Sequence, residues 1–166
     1  MTQGSSMGVY RTAEVCPNGH VTTDSADAYL EHREKFCSKC GEATMTQCQN
    51  CATSIRGDYH VDGVFGFGGE YAPPAYCHNC GRAFPWTERK VDAATDLVEI
   101  SGKLSSEELA QFRADLSEMT KESPRLLVAS TRFKQTMAKV GSAVAGGVRD
   151  IVVDVLSEAA KKAIWG

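Results

Sequence analysis

Cysteine and histidine are the residues whose spacing here could do chemistry. The stretch "FCSKCGEATMTQCQNC", residues 36–51, holds two C-x-x-C pairs; Cys77 and Cys80 form a third, and Cys16 stands apart. Seven cysteines are an odd number for a disulfide framework. The opening "MTQGSSMGVY" has no charged start followed by an apolar run, so no secretory signal is expected. In a reducing cytoplasm such pairs point to metal or redox chemistry instead. A structural zinc takes four cysteine or histidine ligands in a tetrahedron. Seven cysteines and one histidine would therefore fill two sites. The segment "CPNGH" supplies that histidine: His20 follows Cys16 by four positions, with Pro17 and Gly19 turning the chain between them.

The half-sites are then Cys16/His20, Cys37/Cys40, Cys48/Cys51 and Cys77/Cys80. They can join as neighbours, as alternates in a cross-brace, or with the inner pair nested in the outer. A repeat favours neighbours. "FCSKCGEA" at 36–43 matches "YCHNCGRA" at 76–83 as aromatic, Cys, two polar residues, Cys, Gly, a charged residue and Ala. Glycine after the second cysteine suits a knuckle that turns through positive φ. Neither "CPNGH" nor "CQNC" carries a glycine directly after its last ligand, so the order reads opener, closer, opener, closer. The expected sites are Cys16, His20, Cys37 and Cys40, then Cys48, Cys51, Cys77 and Cys80, with two Zn2+ per chain. Iron is the alternative ion at the all-cysteine site. His32 is an alternative to His20, whereas His60 and His78 read as solvated or hydrogen-bonded. A thioredoxin-like redox pair would need a βαβ context that the chain lacks. Four donors leave no position open for water, so both sites read as structural. No other His, Asp or Glu cluster reads as an acid/base or nucleophilic set, so neither an enzyme nor a small-molecule substrate is expected.

The elements that must hold these residues divide the chain. All seven cysteines, all four histidines and four of the five prolines precede residue 90. The expected fold class is α+β: a small tandem (double) zinc ribbon with short β-hairpins over 9–86, then a helical region over 87–165. "YHVDGVFGF" predicts a hairpin turning at Asp62-Gly63. Tyr59, Phe65, Phe67, Tyr71 and Tyr76 concentrate nearby; they would supply the module's core or, failing that, a contact surface. "SADAYLEHREK" predicts a short helix opened by Asp24 or Ser25. Residues 1–90 hold 8 Lys+Arg and 10 Asp+Glu, a net charge of −2, which does not favour nucleic acid as a partner.

Three helices are expected further on, over about 87–101, 105–121 and 124–164. Thr87 would cap the first and Gly102 stop it. Ser105 with Glu108 offers a capping box for the second, whose stripe is Leu109, Phe112, Leu116 and Met119. Pro124 would begin the third. There Phe133, Met137, Val140, Val144, Val148, Ile151 and Val155 recur at helical spacing, interrupted by the costly glycines of "VGSAVAGGV". This helix would pack on the chain's own helices, dock a protein partner or a second copy, or lie at a membrane surface with Trp165 as anchor. No stretch of the sequence reads as a transmembrane helix.

"CPNGHV", "FCSKCG", "CQNC" and "YCHNCGRAFPWT", followed by "SSEELAQFRADLSEMTKESPR", resemble a family of uncharacterised bacterial proteins with a double zinc ribbon. The resemblance covers most of the chain and implies metal binding by the eight residues named, with no known activity. The tail "DVLSEAAKKAIWG" is similar to tails on proteins linked to phage defence. The expectation is a cytoplasmic, non-enzymatic zinc-binding adaptor, with self-association or partner docking through its C-terminal helices. The alternatives are a nucleic-acid-binding ribbon and a defence component in peripheral contact with the inner membrane.

Overall fold

Short extended pieces, each too small to be stable alone, build the cysteine-bearing half in the computed structural model, which describes residues 8–64 and 69–166. The chain divides into two compact units, Met1–Trp86 and Thr87–Gly166. In the first, β1 (Val9–Thr12) pairs antiparallel with β4 (Arg56–His60), and β2 (Glu14–Val15) with β3 (Val21–Thr23). Val15 lies opposite Val21, which makes "CPNGH" the loop of a tight hairpin. Val15 also bridges to Met45, and the backbone N–H of Ala13 donates to the carbonyl of Ile55 at 2.9 Å. A small core of Ala13, Val15, Ile55, Phe84 and Trp86 results. The Phe84 and Trp86 rings stack with centroids 4.5 Å apart, and the Trp86 indole donates to the Pro74 carbonyl at 3.0 Å.

Asp62 and Gly63 do turn, with Gly63 at φ +76, and among the described residues β4 pairs with β1; the expected return strand of the hairpin runs into Phe65 and Phe67, which lie outside the described residues. Of the remaining aromatics, Tyr59 is exposed, whereas Tyr71 and Tyr76 are half-buried. The helix expected around His32 is a single 3-10 turn, Leu30–His32, with no buried residue to hold a longer one.

The second unit is helical: α1 (Pro85–Ile100, whose first two residues belong to the first unit), α2 (Ser106–Met119), α3 (Leu126–Val140), α4 (Ser142–Val152) and α5 (Glu158–Trp165). Helix α1 opens on Pro85, two residues before the expected Thr87, and proline suits a first turn that needs no amide donor. Gly102 ends it at φ +64. The capping box of α2 is complete: Glu108 N donates to Ser105 Oγ at 3.2 Å and Ser105 N to Glu108 Oε2 at 2.8 Å. Phe112, Leu116 and Met119 are buried, and Phe112 stacks with Phe133 of α3 at 5.9 Å. Beside them Arg132 grips the buried Asp115 carboxylate through Nε and a terminal nitrogen, at 2.9 and 2.6 Å.

The single helix expected over 124–164 is three. Pro124 lies in the turn before α3, Gly141 breaks the chain at φ 94 and ψ 161, and a further turn separates α4 from α5. The stripe stays in phase across the breaks, with Phe133, Val140, Val148 and Val155 all buried. Gly147 meets the need for small residues: a β-carbon there would lie 2.8 Å from Leu97 Cδ2 of α1.

Candidate metal centres

Each C-x-x-C pair sits in the same backbone knuckle. The amide of the first cysteine donates to the carbonyl five residues on: Cys37 to Glu42 at 2.8 Å, Cys48 to Thr53 at 2.8 Å, Cys77 to Arg82 at 2.9 Å. The residue after the second cysteine donates back to the first: Gly41 to Cys37, Ala52 to Cys48, Gly81 to Cys77, at 2.8 to 2.9 Å. Bridges Phe36–Ala43, Gln47–Ser54 and Tyr76–Ala83 close the three loops. The closing donor has positive φ each time, at +75 for Gly41, +58 for Ala52 and +72 for Gly81. The sequence repeat therefore has a third member, "QCQNCATS" at 47–54. Its alanine occupies a left-handed conformation that costs an L-residue roughly 1–2 kcal/mol, and that alanine hid the repeat.

"CPNGH" is built differently. Cys16 N donates to His20 O at 3.0 Å across the β2–β3 hairpin, and Gly19 N returns to Cys16 O at 2.9 Å. This aims the Cys16 thiol and the His20 ring at the same point.

The eight residues gather as two tetrads, Cys16, His20, Cys37 and Cys40, and Cys48, Cys51, Cys77 and Cys80; within each, the donor atoms all lie within 4.8 Å of one another. His20 Nδ1 lies 3.5 Å from Cys16 Sγ and 3.6 Å from Cys37 Sγ, and Cys16 Sγ lies 3.6 Å from Cys40 Sγ. In the second tetrad Cys48–Cys80 and Cys51–Cys77 are each 3.7 Å apart. A tetrahedron around zinc, with bonds of about 2.3 Å to sulfur and about 2.0 Å to nitrogen, has edges of about 3.8 Å between sulfurs and about 3.5 Å between sulfur and nitrogen. All seven cysteines are free. Donor types, number and spacing all fit a tetrahedral metal ion.

The knuckles also prepare the charge. The Glu42 amide, with the Asn18 side chain, brings the Cys40 thiol down to about 6. Thr53, through hydroxyl and amide, brings Cys51 down to about 6. The Arg82 amide lowers Cys80 in the same way. Burial raises Cys16 and Cys48. The thiolate is the ligand form, so each tetrad presents anionic sulfur at its rim and a thiol at depth that a cation would deprotonate on binding.

Of the other histidines, His60 lies 3.2 Å from Asp62, His32 is exposed on its 3-10 turn, and His78 is exposed within its knuckle; none joins a tetrad. No curated protein and no solved structure matches the chain. The profile of one family matches residues 9–164. The chain therefore belongs to that family, described as an uncharacterized protein conserved in bacteria (DUF2321).

Proposed function

We propose that this chain is a zinc-binding, non-enzymatic interaction protein whose two zinc ions are structural. The observation that carries the reading is the pair of complete four-donor tetrads. An ion with four protein ligands in a tetrahedron has no vacancy for water or substrate, and its binding energy becomes folding energy for the unit around it. The histidine of the first tetrad suits zinc; the all-sulfur second tetrad would also accept iron.

The surface left for a partner in the first unit is aromatic. Tyr10 and Tyr59 lie opposite one another on β1 and β4, both exposed, with centroids 4.9 Å apart and the Arg56 guanidinium 4.6 Å from the Tyr10 ring. The net charge of −2 over residues 1–90 favours a protein over nucleic acid on this face. In the second unit the apolar stripe is used internally, so partner docking or self-association through these helices would engage other faces, such as exposed Leu127 and Val128 of α3. Trp165 is covered by Arg149, 5.0 Å from its ring, which leaves it less suited to anchoring at a lipid surface. No helix among the described residues is long and apolar enough to cross a membrane.

Native mass spectrometry of protein purified without added metal tests the reading. Two zinc per chain is the expected result, and the same spectrum counts chains per particle. One zinc or none would overturn the structural assignment.

A further inference from the structure

We infer that Glu14 is the positioning residue of the first tetrad: its buried carboxylate sets the two halves of that tetrad against each other. The inference rests on the metal-binding reading and assigns a role to a residue outside the eight ligands. Glu14 precedes Cys16 by two positions on β2 and is 2 % exposed. A buried carboxylate is costly unless its oxygens are satisfied, and this one is satisfied by three residues from two separate segments. Thr22, on the strand that follows His20, places its hydroxyl 2.9 Å from Oε1 and 3.1 Å from the Glu14 carbonyl oxygen. Glu34 donates its backbone N–H to Oε1 at 2.7 Å. Arg33 donates Nε–H to Oε2 at 2.8 Å and supplies the balancing charge.

These bonds link the hairpin that carries Cys16 and His20 to the segment leading into Cys37. The link continues to the ligands. Glu34 Oε2 accepts the Ser38 backbone N–H at 3.0 Å, inside the knuckle that presents Cys37 and Cys40. One carboxylate thus ties β2, β3 and the first knuckle together. The second tetrad has two knuckles, whose internal hydrogen bonds orient their own cysteines. The first tetrad has one knuckle and a hairpin, and two unlike halves need a common anchor. Groups that orient ligands from behind typically change metal affinity by about 10- to 100-fold when removed.

The test is a Zn2+ competition titration of the full chain against a chromophoric chelator, comparing the native protein with Glu14→Gln. The amide replaces an accepting oxygen with a donor, so Arg33 Nε–H or the Glu34 N–H loses its partner. Cobalt substitution tells the tetrads apart, because three sulfurs with one nitrogen and four sulfurs give different ligand-field spectra. The expected result is a loss of about 10- to 100-fold at the first tetrad, with a perturbed cobalt band there and the second tetrad unchanged. Equal weakening of both tetrads, or an unchanged ratio between them, would overturn the assignment. Glu34→Ala removes only the link to Ser38. It should weaken the same tetrad by a smaller factor, and it keeps the test decisive if Glu14→Gln does not fold. A native protein that takes up no metal would instead sink the metal-binding reading itself.

Discussion

The two units solve the same problem by different means. The helical unit buries side chains from all five helices: Val91, Ala94 and Val98 of α1, Phe112 and Leu116 of α2, Phe133 of α3, Val148 and Val152 of α4 and Ala160 of α5. The ribbon unit buries few large apolar residues outside its ligands and leaves Val9, Tyr10, Tyr29, Leu30, Phe36, Tyr59 and Val64 exposed. Among the described residues its secondary structure amounts to two two-stranded pairings, isolated bridges and one 3-10 turn. Such pieces are not stable alone in water. The difference teaches where folding energy would come from: packed apolar area in one unit and, on the proposed reading, ligand–metal bonds in the other.

The largest effect expected from that contrast is on metal removal. If the tetrads hold zinc as proposed, each ion is worth on the order of 10 kcal/mol of folding energy, as in other small domains. Chelation should therefore abolish amide hydrogen-exchange protection over residues 8–64, while α2 and α3 keep theirs. Loss of protection in the helices as well would break the comparison. The mirror experiment is Phe112→Ala. Removing a ring buried against Phe133 should cost about 3–5 kcal/mol, read as a lower urea midpoint of the helical signal. Metal stoichiometry should stay at the native value.

A smaller effect sharpens the account of the ribbon itself. Ala52 holds a left-handed backbone that glycine holds in the other two knuckles. Ala52→Gly should stabilise the metal-loaded ribbon by about 1 kcal/mol, the left-handed penalty less the extra entropy of glycine. Gly41→Ala and Gly81→Ala should each cost a similar amount. The check is the denaturation midpoint of the ribbon unit; no gain for Ala52→Gly would mean that the three knuckles are not equivalent.

Much of this was legible in the residues, and the gaps have physical causes. Cysteine spacing announces knuckles because a metal demands donors at fixed separation; Ser105 and Glu108 announce a helix start because both side chains close on backbone amides. The breaks in the C-terminal stripe were not legible, because Val140 and Val144 keep helical spacing across Gly141, so periodicity alone runs on. The third knuckle was hidden because the glycine that usually marks its backbone is an alanine. Glu14 was silent because a glutamate in a short strand reads as a solvated charge. Its burial follows from Thr22, Arg33 and Glu34 converging on it, which no local pattern encodes. Whether Tyr59 would join the core or a contact surface was left open by the sequence; it is exposed, and its neighbour across the ladder, Tyr10, faces the same way on a sheet that has two strands among the described residues.

The placement of the two tryptophans has a practical consequence. The chain has two, and they fall one to each unit: Trp86 is fully buried in the first, and Trp165 is half-buried under Arg149 in the second. A sealed indole emits to the blue and resists quenchers, whereas a partly wet one emits further to the red and is quenched. The native protein therefore carries an intrinsic fluorescent reporter in each half, and one emission spectrum can follow the loss of the ribbon and the loss of the helices without any added label.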